Sequence, residues 1–190
     1  MPKPTPRTGR ITLRGQRVQT WITSNLAEYW FADAVRESRD EKSDWHARRR
    51  EIIFAVCCAE SYIVEWTRDL VKNPVELAKY FPPNARRGAR QKWQEIPKQL
   101  YDNGVVTGKP DLGRGVWQEW KELVDLRDWL VHAKPSLPYT GNPGADEPRA
   151  TRGELDQISA GWAVGVVSSL IRDLHLHCGP APPGWLDASP

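Results

Sequence analysis

The segment from Trp45 to Lys72 constrains the fold of this chain more than any other feature. It reads "WHARRREIIFAVCCAESYIVEWTRDLVK", and its middle is apolar on nearly every side of a helix. A helix of this kind is typical of one that several neighbours enclose. Asn73 and Pro74, which follow it, predict the cap and first turn of a short new helix. The segment therefore predicts a central helix inside a helical core.

Two further helices are expected on either side of the central one. The stretch "SNLAEYWFADAVRESRD" begins with a capping residue, Ser24 or Asn25, and predicts a first helix. The stretch from Arg90 to Tyr101 predicts another. Pro97 should interrupt or kink it, because proline lacks the N–H donor that a helix needs.

The second half of the chain predicts two long helices. One runs from about Val116 to Ala133 and stops before Pro135. The other opens with a capping box, Thr151 with Glu154. Its apolar residues recur at helical spacing: Leu155, Ile158, Trp162, Val166, Leu170 and Leu174.

Together these segments predict an all-α protein, an up-and-down bundle of four main helices plus short helices. A length of 190 residues with 39% hydrophobic content suits a single domain. We assign residues 1–22 to a basic leader, either irregular or a short hairpin about Gly15, and residues 23–178 to the bundle. Residues 179–190 form a proline-rich tail, which we expect to be loose.

Composition narrows the class of protein. The net charge of +3 is too small for an obligate nucleic-acid coat, although arginines are frequent in the leader and at Arg48 to Arg50. The three cysteines lack metal-ligand spacing, and Cys57 with Cys58 reads as a pair of small core residues in a reducing compartment. No apolar run approaches the roughly 18 residues of a membrane span, and no signal peptide is evident. We therefore expect a cytoplasmic protein without a membrane partner.

The stretch "LRDWLVHAKP", from Leu126 to Pro135, is the most informative motif. Four apolar residues lie within about 60° of Arg127 on a helix: Leu123, Val124, Leu130 and Val131. An arginine cannot lose its charge, so Arg127 needs a carboxylate, an anionic ligand or a route to water. Asp128 and His132 are spaced i, i+4 and share a neighbouring face.

The last turns of this helix are apolar all round, from Leu123 to Val131. One small bundle should not bury every side of such a helix, so a second copy of the chain is the expected cover. Arg127 and His132 would then lie near the seam of a homodimer.

The motif consists of an arginine, a polar residue, three further residues and a histidine, and it lies near the end of an apolar helix. This pattern resembles the HEPN superfamily of helical bundles. The matching residues are Arg127, Asp128 and His132. The stretch "CAESYIVEW" also looks like the central helix of several HEPN groups, in which an acidic or polar residue faces the motif; Glu60 is the candidate here. The family often has asparagine where this chain has Asp128, whose charge could weaken phosphate binding or orient His132.

Many HEPN members are metal-independent endoribonucleases, so the resemblance implies RNA as substrate, with no metal and no cofactor. It implies a toxin, stress-response or antiviral defence role, with an antitoxin or regulatory protein as a possible partner.

The residue types suit that chemistry. Cleavage of RNA without a metal requires a base for the 2′-hydroxyl, an acid for the leaving 5′-oxygen and charge stabilisation at the phosphate. His132 can act as base or acid near neutral pH, and Arg127 can bind two phosphate oxygens. The products would carry 2′,3′-cyclic phosphate ends. Two facing copies could share the two proton transfers, which one histidine cannot easily perform alone.

Other interpretations of these residues stay open. Arg127 could be structural, paired with Glu60 or Glu65, while His132 caps the helix end. The bundle could then be a non-catalytic module that dimerises or binds a nucleotide or a partner protein.

Two other groups of residues are weaker candidates. Arg48, Arg49 and Lys134 could hold an RNA backbone, although an arginine run of this kind is usually a solvated first turn. His175 and His177 of "HLHC" point about 200° apart on a helix, which is poor geometry for a metal site.

Overall fold

The computed structural model describes residues 7–13, 16–22, 26–39, 45–82, 87–132, 155 and 157–188. Within these ranges the chain forms a two-stranded hairpin and six α-helices, followed by a 3₁₀ helix (Gly184–Ala188). This is the predicted all-α bundle. The elements are β1 (Arg7–Leu13), β2 (Gln16–Ile22), α1 (Leu26–Ser38), α2 (Trp45–Leu70), α3 (Pro74–Tyr80), α4 (Ala89–Asp102), α5 (Val116–His132) and α6 (Trp162–Cys178).

Helix α2 is the centre of the bundle. It packs against α1, α4, α5 and α6, while α5 also packs against α4 and α6. Its apolar residues are buried on several sides because neighbours surround it; Ile52, Val56 and Ile63 are almost completely inaccessible. The prediction of an enclosed central helix is confirmed.

Of the two alternatives for the leader, an irregular segment or a short hairpin, the described residues form the hairpin. Strands β1 and β2 pair antiparallel, with Ile11 opposite Val18 and Leu13 opposite Gln16. The two residues of the turn lie outside the described ranges.

Helix α3 begins as the sequence predicts, whereas α4 differs from its prediction. The side chain of Asn73 accepts a hydrogen bond from the Val75 N–H at 2.9 Å, which caps α3. Of the two expected effects of Pro97, an interruption or a kink, the interruption does not occur, because α4 runs continuously through this residue. Ile96, Pro97 and Leu100 are all buried, and this packing offsets the hydrogen bond that proline cannot donate.

The start of α6 corrects the prediction of a long helix opening at Thr151. The helix begins at Trp162, after Gly161, whose φ of 80° interrupts the helical path. Thr151 and Glu154 lie outside the described residues. The carboxylate of Glu51 accepts hydrogen bonds from the N–H groups of Gly161, at 3.3 Å, and Ala163, at 3.2 Å. A side chain from α2 therefore satisfies the first donors of α6, in place of a local capping residue.

Glu51 also forms a buried ion pair. Its carboxylate lies 3.1 Å from Nη1 of Arg48, and the two residues are 1% and 7% exposed. Burial raises the pKa of Glu51, while the hydrogen bond from Gly161 and the charge of Arg48 oppose that shift. Arg48 therefore belongs to the interior, which contradicts both its expected place in a solvated turn and its candidacy as an RNA-backbone contact.

The tail is docked instead of loose. Leu186 is fully buried, and the Trp185 ring lies 5.0 Å from Phe31 and 5.9 Å from Tyr62, between ring centroids. Nη2 of Arg172 donates to the Leu186 carbonyl at 3.3 Å. The proline content of the tail predicts a loose segment. The two apolar side chains that follow these prolines, Trp185 and Leu186, instead pack among the helices.

His175, on α6, connects the tail to the bundle through hydrogen bonds. Its Nδ1 is hydrogen-bonded to the Pro180 carbonyl and its Nε2 to the Tyr62 hydroxyl. A carbonyl can only accept, so Nδ1 carries the proton and Nε2 accepts from Tyr62. Burial lowers the pKa of His175, opposed by the bond to Pro180, so the neutral ring is favoured.

Glu51→Ala should destabilise the protein by about 3 to 5 kcal/mol, because Arg48 would remain charged and buried while α6 lost its cap. Urea unfolding followed by circular dichroism measures the change. The double variant Arg48→Met/Glu51→Met should lose less than Glu51→Ala alone. Glu76→Ala, which removes the exposed pair with Lys79, is the control and should cost under about 1 kcal/mol. A loss that small for Glu51→Ala would contradict the capping role.

The stability of the protein should fall as the pH is lowered, because of the protonation equilibrium of His175. The pKa of His175 is lowered in the folded protein. Below about pH 6.5 its imidazole therefore binds a proton more readily in the unfolded chain than in the folded protein. The free energy of unfolding of the wild type should therefore decrease between about pH 7 and 5 more steeply than that of His175→Gln. His46→Gln removes an exposed imidazole as the matched control. Parallel curves for wild type and His175→Gln would show that this ring does not contribute.

Candidate functional site

Arg127 lies on α5 where that helix meets α2. Its Nη2 is 3.4 Å from Oε2 of Glu60, and its Nε is 3.3 Å from Oδ1 of Asp128. The Arg127 side chain is 19% exposed, so the apolar stripe around it leaves part of the side chain open to water. The expectation that Glu60 faces the motif helix is confirmed.

Glu60 is shared between two cations. Nζ of Lys92, on α4, lies 3.2 Å from Oε1 of Glu60, on the carboxylate oxygen that Arg127 does not contact. Lys92 is held there by its neighbour Trp93, whose Nε1 donates to the Ala59 carbonyl at 3.0 Å. Glu60, Lys92, Arg127 and Asp128 form one connected group, which we call the Arg127 cluster.

The Arg127 cluster does not provide a hydrogen-bond acceptor for every N–H group of the Arg127 guanidinium. Its Nε is buried and makes no hydrogen bond to the described residues, because Asp128 approaches from an unsuitable direction. The contact to Glu60 is long for a charge-assisted hydrogen bond. Because Nε is buried, an oxyanion would have to approach Arg127 through the part of its side chain that is exposed.

A second arginine lies at the end of α5. Nη2 of Arg49 donates to the Leu130 carbonyl at 3.3 Å, which places its positive charge near the negative end of the helix dipole. His132 is the last residue of α5, five positions after Arg127. Of the three candidates for an RNA backbone, Arg49 is thus near the motif and Arg48 is buried, while Lys134 lies outside the described residues.

Cys57 lies one helical turn before Glu60 and is partly buried. Burial and the charge of Glu60 raise its pKa, and Arg127 opposes the shift. The thiol therefore stays protonated at neutral pH, which argues against nucleophilic chemistry at this cysteine.

A single copy of the chain covers most of α5. Leu123, Val124 and Leu130 are buried, and Leu126 and Trp129 are partly buried against the core. Val131, beside His132, is 49% exposed. The bundle buries more of this helix than the sequence predicts, because α2, α4 and α6 contact it from different sides, while Val131 stays exposed.

The two histidines of "HLHC", His175 and His177, do not lie at a common site. His175 is buried against Tyr62, whereas His177 is exposed, with Nδ1 3.7 Å from Asp173 Oδ1. In the part of the chain that the structure describes, no group of three or more His, Cys, Asp or Glu side chains could hold a metal ion. Among the same residues, no helix combines the length and apolar character needed to cross a membrane.

No family model, curated protein or solved structure matches this chain. The site is therefore interpreted from its own residues. The contact between Arg127 and Glu60 is expected both for a phosphate-binding arginine held ready by a carboxylate and for a structural ion pair. Glu65 is no longer a candidate partner, because its carboxylate accepts from the Ala27 N–H at 3.2 Å and caps α1.

A double-mutant cycle distinguishes these two roles of Arg127. Arg127→Ala, Glu60→Ala and the double variant should give a coupling energy of about 1 kcal/mol in urea unfolding, because the pair is long and partly solvated. The exposed pair Arg90–Asp125 is the control cycle. A coupling above about 3 kcal/mol would identify Arg127 as a structural arginine whose loss strands a buried carboxylate.

Proposed function

We propose that this protein is a metal-independent endoribonuclease of the HEPN type, with Arg127 and His132 as its catalytic pair. The observation that carries the proposal is the partly exposed side chain of Arg127, which only a long contact of 3.4 Å to Glu60 holds at the junction of α5 and α2. His132 follows on the same helix, so the two residue types that the chemistry requires are close along one rigid element.

Each residue of the site has a proposed role. Arg127 binds the non-bridging oxygens of the scissile phosphate and stabilises the charge that develops on them. His132 takes the 2′-hydroxyl proton or donates one to the leaving 5′-oxygen. Asp128, four residues before His132, orients the imidazole. Glu60 is a positioning residue that acts through Arg127.

A homodimer would supply the second proton-transfer group. We propose that Val131, the exposed apolar residue beside His132, lies at the seam of that dimer. Two copies would then bring two His132 residues to one phosphate. The proposed setting is the cytoplasm, in toxin, stress-response or antiviral defence activity, with an antitoxin or regulatory protein as a further partner.

A non-catalytic binding module is the second candidate. The observation that favours it is the pairing of Arg127 with two carboxylates, Glu60 and Asp128, which compete with phosphate for the guanidinium. In this case the same surface would bind a second copy, a nucleotide or a partner protein without cleavage.

Purified wild type should cleave total RNA in the presence of EDTA and leave 2′,3′-cyclic phosphate ends. Arg127→Ala and His132→Ala should each abolish cleavage, by at least about 100-fold, because each removes a group acting on the transition state. Gel electrophoresis and end analysis of the products measure this. Arg114→Ala and His177→Ala replace exposed residues of the same types elsewhere and should cleave at the wild-type rate.

Thermal melts and light scattering on the same samples complete the experiment. A dimer mass with unchanged melting of His132→Ala is expected. Absence of cleavage by the wild type across RNA, salt and pH would favour the binding module. Activity lost in EDTA and restored by magnesium would contradict the proposed chemistry, and a monomer mass at micromolar concentration would contradict the shared site.

A further inference from the structure

A cavity of about 290 Å³ lies between α1 and the docked tail. The residues that line it come from these two elements alone: Glu28, Phe31, Ala32, Val35, Arg36, Arg39 and Trp185. We call it the Trp185 cavity, and none of its lining residues belongs to the Arg127 cluster. Its volume corresponds to about ten water molecules, at roughly 30 Å³ for each in the liquid. The cavity can therefore hold a small molecule.

The lining residues of α1 share one face of that helix. At 100° per residue, Glu28, Val35 and Arg39 lie within about 20° of one direction, and Phe31 and Ala32 flank them. Arg39 follows the last residue of α1, and its N–H still donates to the Val35 carbonyl at 3.2 Å. A rise of 1.5 Å per residue separates Glu28 from Arg39 by about 16 Å. The cavity is thus elongated along α1, with an acidic and a basic end.

The middle of the Trp185 cavity is apolar. Phe31 and Val35 are buried, and the Trp185 ring packs against Phe31 with 5.0 Å between ring centroids. Ala32 is exposed, and its methyl group is too short to fill the space beside the tryptophan. Water gains little from such walls, so a hydrocarbon chain that displaces it is favoured.

The two arginines at the basic end differ in their pairing. Nη2 of Arg36 lies 2.9 Å from Oδ1 of Asp33. The side chain of Arg39 is exposed and forms no ion pair or hydrogen bond with another residue that the structure describes. Arg39 can therefore bind a carboxylate through paired hydrogen bonds. Glu28 would repel a carboxylate at the other end, which fixes the orientation of the ligand.

We propose that the Trp185 cavity binds a medium-chain fatty acid, with its carboxylate on Arg39 and its alkyl chain between α1 and Trp185. A methylene group occupies about as much space as a water molecule, so a chain of about eight carbons fits the volume. An uncharged hydrocarbon would not use Arg39, and a small polar anion would not use the apolar walls. A fatty acid uses both.

The ligand and the tail would stabilise each other. Trp185 belongs to the tail, so the cavity is complete only while the tail is docked. A molecule that binds only the docked state increases the population of that state. The fatty acid would thus hold the tail against α1, by a contact that does not involve α5 or the proposed nuclease chemistry.

Isothermal titration calorimetry with octanoate tests the inference on the full-length protein. The wild type should bind one octanoate per chain. Arg39→Gln should weaken octanoate binding at least about tenfold, because charge-assisted hydrogen bonds to the carboxylate are lost. It should bind 1-octanol, which has the same chain without the charge, as the wild type does. Arg114→Gln removes an exposed arginine elsewhere on the bundle and should keep the wild-type affinity for octanoate.

Two further variants test the apolar walls. Ala32→Trp fills the cavity from an exposed position, and Trp185→Ala removes one wall, so both should lose octanoate and 1-octanol. Thermal melts should show Ala32→Trp close to the wild type, which separates loss of binding from loss of the fold.

Three results would each overturn the inference. The first is no saturable binding of octanoate by the wild type at millimolar concentration. The second is an affinity for octanoate that Arg39→Gln leaves unchanged. The third is binding of octanoate by Ala32→Trp as tight as that of the wild type. RNA cleavage assays do not bear on this site, so the proposed function can fail while octanoate binds.

Discussion

The buried ion pair of Arg48 and Glu51 is the interaction on which the bundle depends. Arg48 cannot lose its charge inside the protein, so Glu51 must remain beside it, despite the desolvation that raises the pKa of this carboxylate. The same carboxylate holds the first N–H groups of α6. It thereby fixes α6 against α2, and α6 in turn supports α5 and the docked tail. A single side chain thus links charge balance, helix capping and helix packing.

The sequence predicts helices well where the signal is local. The bounds of α2 and α5 follow from their apolar stretches and from the prolines that come after them, and α3 follows from the cap at Asn73. The start of α6 could not be predicted this way, because its capping group comes from Glu51, 110 positions earlier than Gly161. The docking of Trp185 and Leu186 was missed for a similar reason, since their site is formed by three helices distant in sequence.

The candidate site was partly predictable. An arginine on an apolar stripe requires a carboxylate, and Glu60 is the partner that the structure provides for Arg127. The position of Lys92 beside Glu60 was not predicted. It depends on how α4 packs against α2, where Trp93 donates a hydrogen bond to the Ala59 carbonyl, and such a contact leaves no pattern in the sequence. The burial of α5 was underestimated, since the number of neighbours around a helix depends on packing and not on its own residues. The role of Arg127 remains proposed, while its surroundings are now defined.

The docked tail has a consequence for synthesis of the chain. Proteins are made from the N-terminus, and domains begin to fold as they emerge. Phe31 and Tyr62 are synthesised long before Trp185, the ring that covers them. A nascent chain must therefore carry an open apolar groove beside α1 and α2 until Trp185 has been made. During that interval the groove is a natural binding site for chaperones, and it closes only after the segment that contains Trp185 has left the ribosome.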